Sequence, residues 1–347
     1  MRMRRTASTP PARRLRRAPA ALWVALCALL LPLTACGSSS GDGASPKGAE
    51  DSSGASAGAF PATVATKFGK VTVEEKPTRV VALGWGDAEA ALALGVQPVG
   101  ASDWLAFGGD GVGPWAKGRY DKSPRMIGTL EPEFEKIAAL RPDLILDTKS
   151  SGDRTRYETL SKIAPTIGVP RGGEQYKTSW EKQTEMVSTA LGLAGKGKAL
   201  IAETEEKFAR SAAAHPEFKG KTITLGSRTG STFGAYVHGT GRVDFVERLG
   251  FTNNPKVEAR ADASFSVTLS RENLDLLDAD LTVMTPIGVE ASKITDDPLY
   301  QAVPSVKDGR DVVFDDETLS SAFATDSVLS VVYALDKVVP LFAAPLK

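Results

Sequence analysis

The residue types that carry catalytic or metal chemistry are scarce in this chain, and those present do not fall into working spacings. There are two cysteines, Cys27 and Cys36, and two histidines, His215 and His238. Both cysteines lie in an N-terminal apolar region, which excludes a disulfide scaffold and a cysteine-ligated zinc or iron–sulfur centre. Two histidines are too few for a His-rich metal centre and argue against a haem pocket with paired histidines. Gly84-Trp85-Gly86 follows a predicted strand, but the third glycine of a dinucleotide fingerprint would fall on Glu89. Gly220-Lys221-Thr222 looks like the end of a phosphate loop, yet its leading glycine would be His215 and the segment opens a strand. Gly226-Ser227-Arg228-Thr229-Gly230 places serine second, where a nucleophile elbow needs it third. His238 sits in a glycine-rich loop with no nucleophile to pair with and reads as a surface residue. No enzyme is expected, and no cofactor.

Charge and the N-terminal segment say where such a chain works. Of 347 residues, 42 are basic and 42 acidic, but seven arginines and no acid fall in the first 35 positions. The remainder carries 35 basic against 42 acidic groups, a net charge of −7 that does not suit nucleic acid. A basic run over residues 2–17 precedes 18 uncharged residues, 18–35, the charged and apolar regions of an export signal. Eighteen residues are just enough for a transmembrane helix. Against that reading, Pro32 interrupts the stretch, which closes on Leu33-Thr34-Ala35-Cys36-Gly37. This pentad resembles the lipobox of bacterial lipoproteins. The resemblance implies removal of residues 1–35, a diacylglycerol on Cys36 and anchorage on the outer face of the cell membrane. Arg13-Arg14 leaves a twin-arginine route open beside the general one. Residues 36–59, mostly Gly, Ser and Ala, cannot bury enough apolar area to order themselves and form a tether spanning roughly 25 Å.

From residue 60 onward, short apolar runs alternate with helical patterns, the signature of an α/β fold with mostly parallel sheets. Residues 79–84 read as a strand, 87–94 as a helix closed by Gly95, 133–140 as a helix, and 143–146 and 166–169 as strands. The plan then repeats. Residues 222–226 parallel 80–84 at an offset of 142, and Leu249-Gly250-Phe251 parallels Leu94-Gly95-Val96 at 155. Ile137, Leu140, Asp143, Leu144 and Leu146 match Leu274, Leu277, Asp280, Leu281 and Val283 at 137. Two similar lobes are expected, over residues 60–176 and 216–347, joined by a helical segment over 177–215 and enclosing a cleft at the strands' carboxyl ends. Within the connecting segment, Met186, Val187, Ala190, Leu191 and Leu193 fit a buried helical face, interrupted over residues 192–197.

Pro77-Thr78-Arg79-Val80-Val81-Ala82-Leu83, with Ala-Ala-Leu-Ala-Leu-Gly-Val-Gln-Pro-Val-Gly over 90–100, resembles the first βαβ unit of siderophore and cobalamin substrate-binding proteins. So do Glu135-Lys136-Ile137-Ala138-Ala139-Leu140-Arg141-Pro142-Asp143-Leu144-Ile145, residues 160–166 and the 329–340 tail, so that the likeness runs from about residue 68 to 341. The resemblance implies a monomer that delivers a ligand to the permease subunits of an ABC importer, with two lobes on one connecting helix that flex modestly. A ferric siderophore is the leading ligand, because its iron arrives already wrapped and needs no protein donors. Cobalamin or haem on the same fold is the alternative; a surface α/β hydrolase and a partner-docking lipoprotein are the readings of a different class.

A siderophore pocket needs aromatic faces for organic arms and cations or donors for chelating oxygens. The expected ligand-binding residues are Trp85 and Trp104 after the first strands, Arg228 and Tyr236 in the second lobe, and Phe265 in Ala263-Ser264-Phe265-Ser266. Thr129 completes the set, standing where relatives place an arginine, as Ser151 stands where a tyrosine is expected. Trp85 packing its own lobe and a solvated Arg228 are the plainer readings; Trp115 and Trp180 are assigned to packing. Glu135 and Glu247 match acids that in relatives meet arginines of the permease. The helix dipole alone explains Glu135 in a first turn, but not Glu247 near a helix end.

Overall fold

The computed structural model describes residues 59–128, 130–262 and 264–347; the export stretch, Cys36 and Thr129 lie outside the described residues. An antiparallel hairpin, β1 (Ala62–Thr66) and β2 (Gly69–Val73), comes first. Five short parallel strands follow: β3 (Val80–Ala82), β4 (Gly100–Ser102), β5 (Arg125–Ile127), β6 (Leu144–Leu146) and β7 (Thr166–Ile167). Their order is β5-β4-β3-β6-β7. Residues 80–82 and 144–146 are wholly buried, as unbroken apolar runs must be when helices cover both faces of a parallel sheet. The chain steps outward from β3 to β5, then returns to start β6 on the other side of β3. The carboxyl ends of β3 and β6 therefore diverge into a crevice, where open α/β sheets bind ligands.

The second lobe holds β8 (Thr222–Thr229), β9 (Thr232–Tyr236), β10 (Thr252–Asn253), β11 (Ser266–Leu269), β12 (Leu281–Ile287) and β13 (Asp311–Val313). β10, β8, β12 and β13 run parallel, while β9 and β11 add an antiparallel edge. The repeat is physical. Asp143 Oδ2 accepts from the backbone and hydroxyl of Thr78, at 2.7 and 2.8 Å, and Asp280 Oδ2 does the same for Thr222, at 2.8 and 2.9 Å. The helices Asp87–Ala93 and Gly241–Arg248 end alike, with Val96 N donating to Ala91 O and Phe251 N to Val246 O across a left-handed glycine. One offset needs correction by a residue. β3 pairs Val80 with Leu144 and β8 pairs Ile223 with Leu281, so Val80 corresponds to Ile223, an offset of 143.

Two helices, Trp180–Ala190 and the 21-residue Ala194–Ala214, occupy the connecting segment. The break is confined to Leu191-Gly192-Leu193, and Gly197 lies inside the second helix, where a Cβ would fall 2.1 Å from Ser188 Oγ. Met186, Val187, Ala190 and Leu191 join the core of the first lobe, while Trp180 joins that of the second, stacked 6.4 Å from Phe208. Trp115 packs on Phe107 and on Tyr333 of the C-terminal helix Val328–Ala343, which crosses back to the first lobe. That helix is apolar enough to span a membrane, but half of it is buried in the protein, and it serves as a core element.

Candidate functional site

Asp87 organises the crevice. It opens a helix whose residues are all buried, and its carboxylate accepts from Gly84 N (3.0 Å), Thr148 N (2.9 Å), Gln183 Nε2 (2.8 Å) and Thr148 Oγ1. Gly84 belongs to the loop after β3 and Thr148 to the loop after β6, so one carboxylate staples both loops. Burial pushes its pKa up to about 6, with the bonds from Thr148 and Gln183 opposing that rise. Gln183 Nε2 also donates to Trp85 O (2.9 Å), and Trp85 N donates to Lys149 O (2.9 Å), which fixes the tryptophan at the crevice mouth.

The Trp85 ring is sandwiched between Trp104, 4.1 Å away and tilted by 6°, and Tyr176, 4.1 Å away and tilted by 20°. Both faces of Trp85 are therefore covered, and it holds the other two rings parallel. Beneath the stack, Lys149 Nζ donates to Asp326 Oδ2 and to Asp326 O, each at 2.7 Å. This ion pair joins the lobes and is buried on both sides. Asp326 holds φ 48°, a left-handed conformation that aspartate tolerates better than most residues. A second link between the lobes runs from Ser327 Oγ to Glu89, whose pKa burial pushes up to about 7.

Opposite the stack, Tyr236 ends β9 with its ring 4.4 Å from the Arg242 guanidinium and 6.5 Å from the Phe265 ring. Arg242 makes no ion pair among the described residues, and its Nε is buried without a hydrogen-bond partner. The two walls enclose a cavity of about 470 Å3. Phe265 and Ile287, about 40% exposed, bring apolar surface to its lining.

Trp85, Trp104, Tyr236 and Phe265 all line this cavity. Arg228 does not, and that expectation is corrected. It leaves β8 toward the segment 292–297, where its guanidinium donates to Asp297 Oδ2 (3.1 Å) and Lys293 O and lies 4.8 Å from the Phe233 ring. Its Nε also donates to Gly230 O (3.1 Å), so the guanidinium is taken up by its own lobe and does not reach the cavity. The cavity's cations are Lys149, paired with Asp326, and Arg242, and sequence reasoning missed all three along with Tyr176. Asp87 and Glu89 had a legible signal: two acids opening a helix otherwise made of Ala and Leu must be buried with it. Glu135 is exposed in the helix Phe134–Ala139. Glu247 has company, because its carboxylate lies 3.1 Å from His238 Nδ1, and Asp244 joins them with all ligand atoms within 4.8 Å.

Comparison with known proteins gives the same architecture. The chain is similar to the Fe(3+)-citrate-binding protein YfmC of Bacillus subtilis, 27% identical over 70% of this chain and 74% of that one. It is 28% identical to the probable siderophore-binding lipoprotein YfiY of Bacillus subtilis, over 72% of this chain and 78% of that one. Among solved structures, PiaA of Streptococcus pneumoniae TIGR4 in complex with ferrichrome superposes with a TM-score of 0.71 at 26% identity, covering 82% of this chain and 98% of that one. The family model described as periplasmic binding protein matches residues 80–318, which take in both sheets and most of the cleft between them. This chain belongs to the periplasmic binding protein family.

Proposed function

We propose that this protein captures a ferric siderophore in the cleft between its lobes and delivers it to an ABC importer. The observation that carries the reading is the cavity itself, with a stacked aromatic wall on one lobe, Tyr236, Phe265 and Arg242 on the other, and a volume suited to a wrapped metal complex. Family membership supports it, as do relatives named for iron complexes. The cleft acts by binding, not by catalysis, and the iron needs no protein ligand. Residues 60–176 and 216–347 serve as the two lobes and 177–215 as their connection. Cys36 carries the lipid anchor at the outer face of the cell membrane, and residues 37–59 let the monomeric body reach the importer. Glu135 and Glu247, one on each lobe, dock the permease subunits.

Titrating the protein with ferric siderophores, cobalamin and haemin tests the reading through quenching of Trp85 and Trp104. Saturable quenching by a ferric siderophore alone is expected. A response confined to cobalamin or haemin transfers the fold to that ligand, and no response to any of the three ends the transport reading.

A further inference from the structure

Resting on the proposal that the cleft holds a ferric complex, we infer that its charge balance selects complexes of zero or low net charge, of the tris-hydroxamate type, over the anionic catecholate and citrate complexes. Four charged side chains line the cavity among the described residues: Lys149 and Arg242, Glu317 and Asp326. They cancel. Lys149 is also committed, since its ammonium is buried against Asp326 at 2.7 Å and would leave that carboxylate alone if it turned to a ligand.

Behind the floor, among the described residues, the further cation near Asp326 is Arg248, and it is already paired with Glu181. Asp87 and Glu89 are buried carboxylates of the same helix, and Asp244 lies close enough to Asp326 for the two to repel. The arginine beneath the loop after β6, Arg156, is held by Asp147 through bonds of 3.0 and 2.6 Å. Arg242 is the lining cation without an acidic partner, its plane set over the Tyr236 ring. The remaining polar lining is neutral and consists largely of threonine, serine and tyrosine hydroxyls, Tyr176 and Tyr236 among them.

Iron(III) carries three positive charges. Three hydroxamates supply three negative charges and leave a neutral core, three catecholates supply six and leave a trianion, and citrate complexes are likewise anionic. A trianion in this cavity would meet one available cation and leave about two charges uncompensated, a heavy desolvation cost in a partly enclosed site. A neutral core asks for less: one guanidinium donating to the delocalised hydroxamate oxygens, hydroxyls for the rest, and aromatic faces along the arms. The wall of three stacked rings fits a ligand held by contact and a few directed bonds, not by ion pairing.

The test uses the full-length chain in detergent and four defined complexes: ferrichrome (neutral), ferrioxamine B (cationic), ferric dicitrate and ferric enterobactin. Fluorescence titration should give dissociation constants for the two hydroxamates at least about 100-fold below those of the two anions. Raising NaCl from about 50 to 500 mM should change hydroxamate affinity by less than about threefold. Glu317→Lys, which replaces an anion by a cation at an exposed lining position, should lower the dissociation constant of ferric dicitrate by about tenfold relative to that of ferrichrome. Tight, salt-sensitive binding of either anion with weak binding of both hydroxamates overturns the charge inference while the siderophore reading stands. Silence to all four overturns both.

Discussion

Two arginines of the second lobe show how little residue type alone decides. Arg228 is about 9% exposed and spends its guanidinium on Asp297 and two backbone carbonyls, whereas Arg242 has an orphaned Nε beside the cavity. Arg242→Ala should weaken siderophore binding by tenfold or more, since a charge-assisted hydrogen bond contributes about 1.5–3 kcal/mol. Arg228→Ala should leave affinity within about twofold and lower stability by about 2–3 kcal/mol, with Arg271 still compensating Asp297. Titration and thermal unfolding of both variants check this, and the reverse pattern would put the cleft's cation in the wrong place. Asp87 makes a sharper case. Asp87→Ala strands the donors of Gly84, Thr148 and Gln183, at about 1–3 kcal/mol for each that finds no new partner. Unfolding should come several degrees lower, and affinity should fall because Trp85 loses its support. A fully stable variant with normal affinity would show that the two loops hold their shape without the staple.

Among the elements, the repeat makes a prediction that neither lobe makes alone. Gly95 and Gly250 close corresponding helices, at φ 80° and φ 105°. Alanine reaches the first only at a cost of about 1 kcal/mol, and the second lies beyond the left-handed well near 57° and should cost more. Chemical denaturation of Gly95→Ala and Gly250→Ala should therefore rank Gly250→Ala as the less stable. Equal losses would mean that the lobes relax their helix ends differently from what the dihedrals imply. These ends were legible because a glycine after the last apolar position of a helix has few other uses. The antiparallel edge of β9 and β11 was not legible, since their short, mixed runs look like loop in sequence.

At the scale of the whole molecule, buried carboxylates couple stability to pH. Asp87 and Glu89 have folded pKa values of about 6 and about 7, above their unfolded values, and burial raises Asp147 in the same direction. Between about pH 4 and 7 the folded chain thus binds more protons than the unfolded chain, and stability falls as pH rises through that window. Charging Asp87 and Glu89 fully costs on the order of 3 kcal/mol each. Melting temperature should be higher near pH 5.5 than near pH 8, and Glu89→Gln should flatten the slope above about pH 6. A melting temperature that climbs toward pH 8 would contradict this. Carboxylates with lowered pKa, such as Asp280, act in the opposite direction only below about pH 4. Docking belongs to this scale too. Glu135→Ala with Glu247→Ala should leave ligand affinity and melting unchanged and abolish uptake through the importer, because such rim charges orient an encounter more than they hold it. Uptake at the parental rate would remove these acids from the interface.

The two-lobe α/β plan was legible in the order of residues, and the reason is periodicity. Strands buried on both faces must be continuous apolar runs, and helices between them must close on glycine, so repeated runs expose a repeated fold. The same order also marked the aromatic residues that leave the strand ends, since Trp85, Trp104, Tyr236 and Phe265 all reach the cavity. The tertiary structure alone decided the charge of the cleft. Lys149 and Asp326 stand 177 residues apart and cancel each other only because the C-terminal helix returns to the first lobe. Which arginine faces a ligand depends on which acids the fold brings beside it: Asp297 for Arg228, and none in an ion pair among the described residues for Arg242. Neither is a property of any local run of residues.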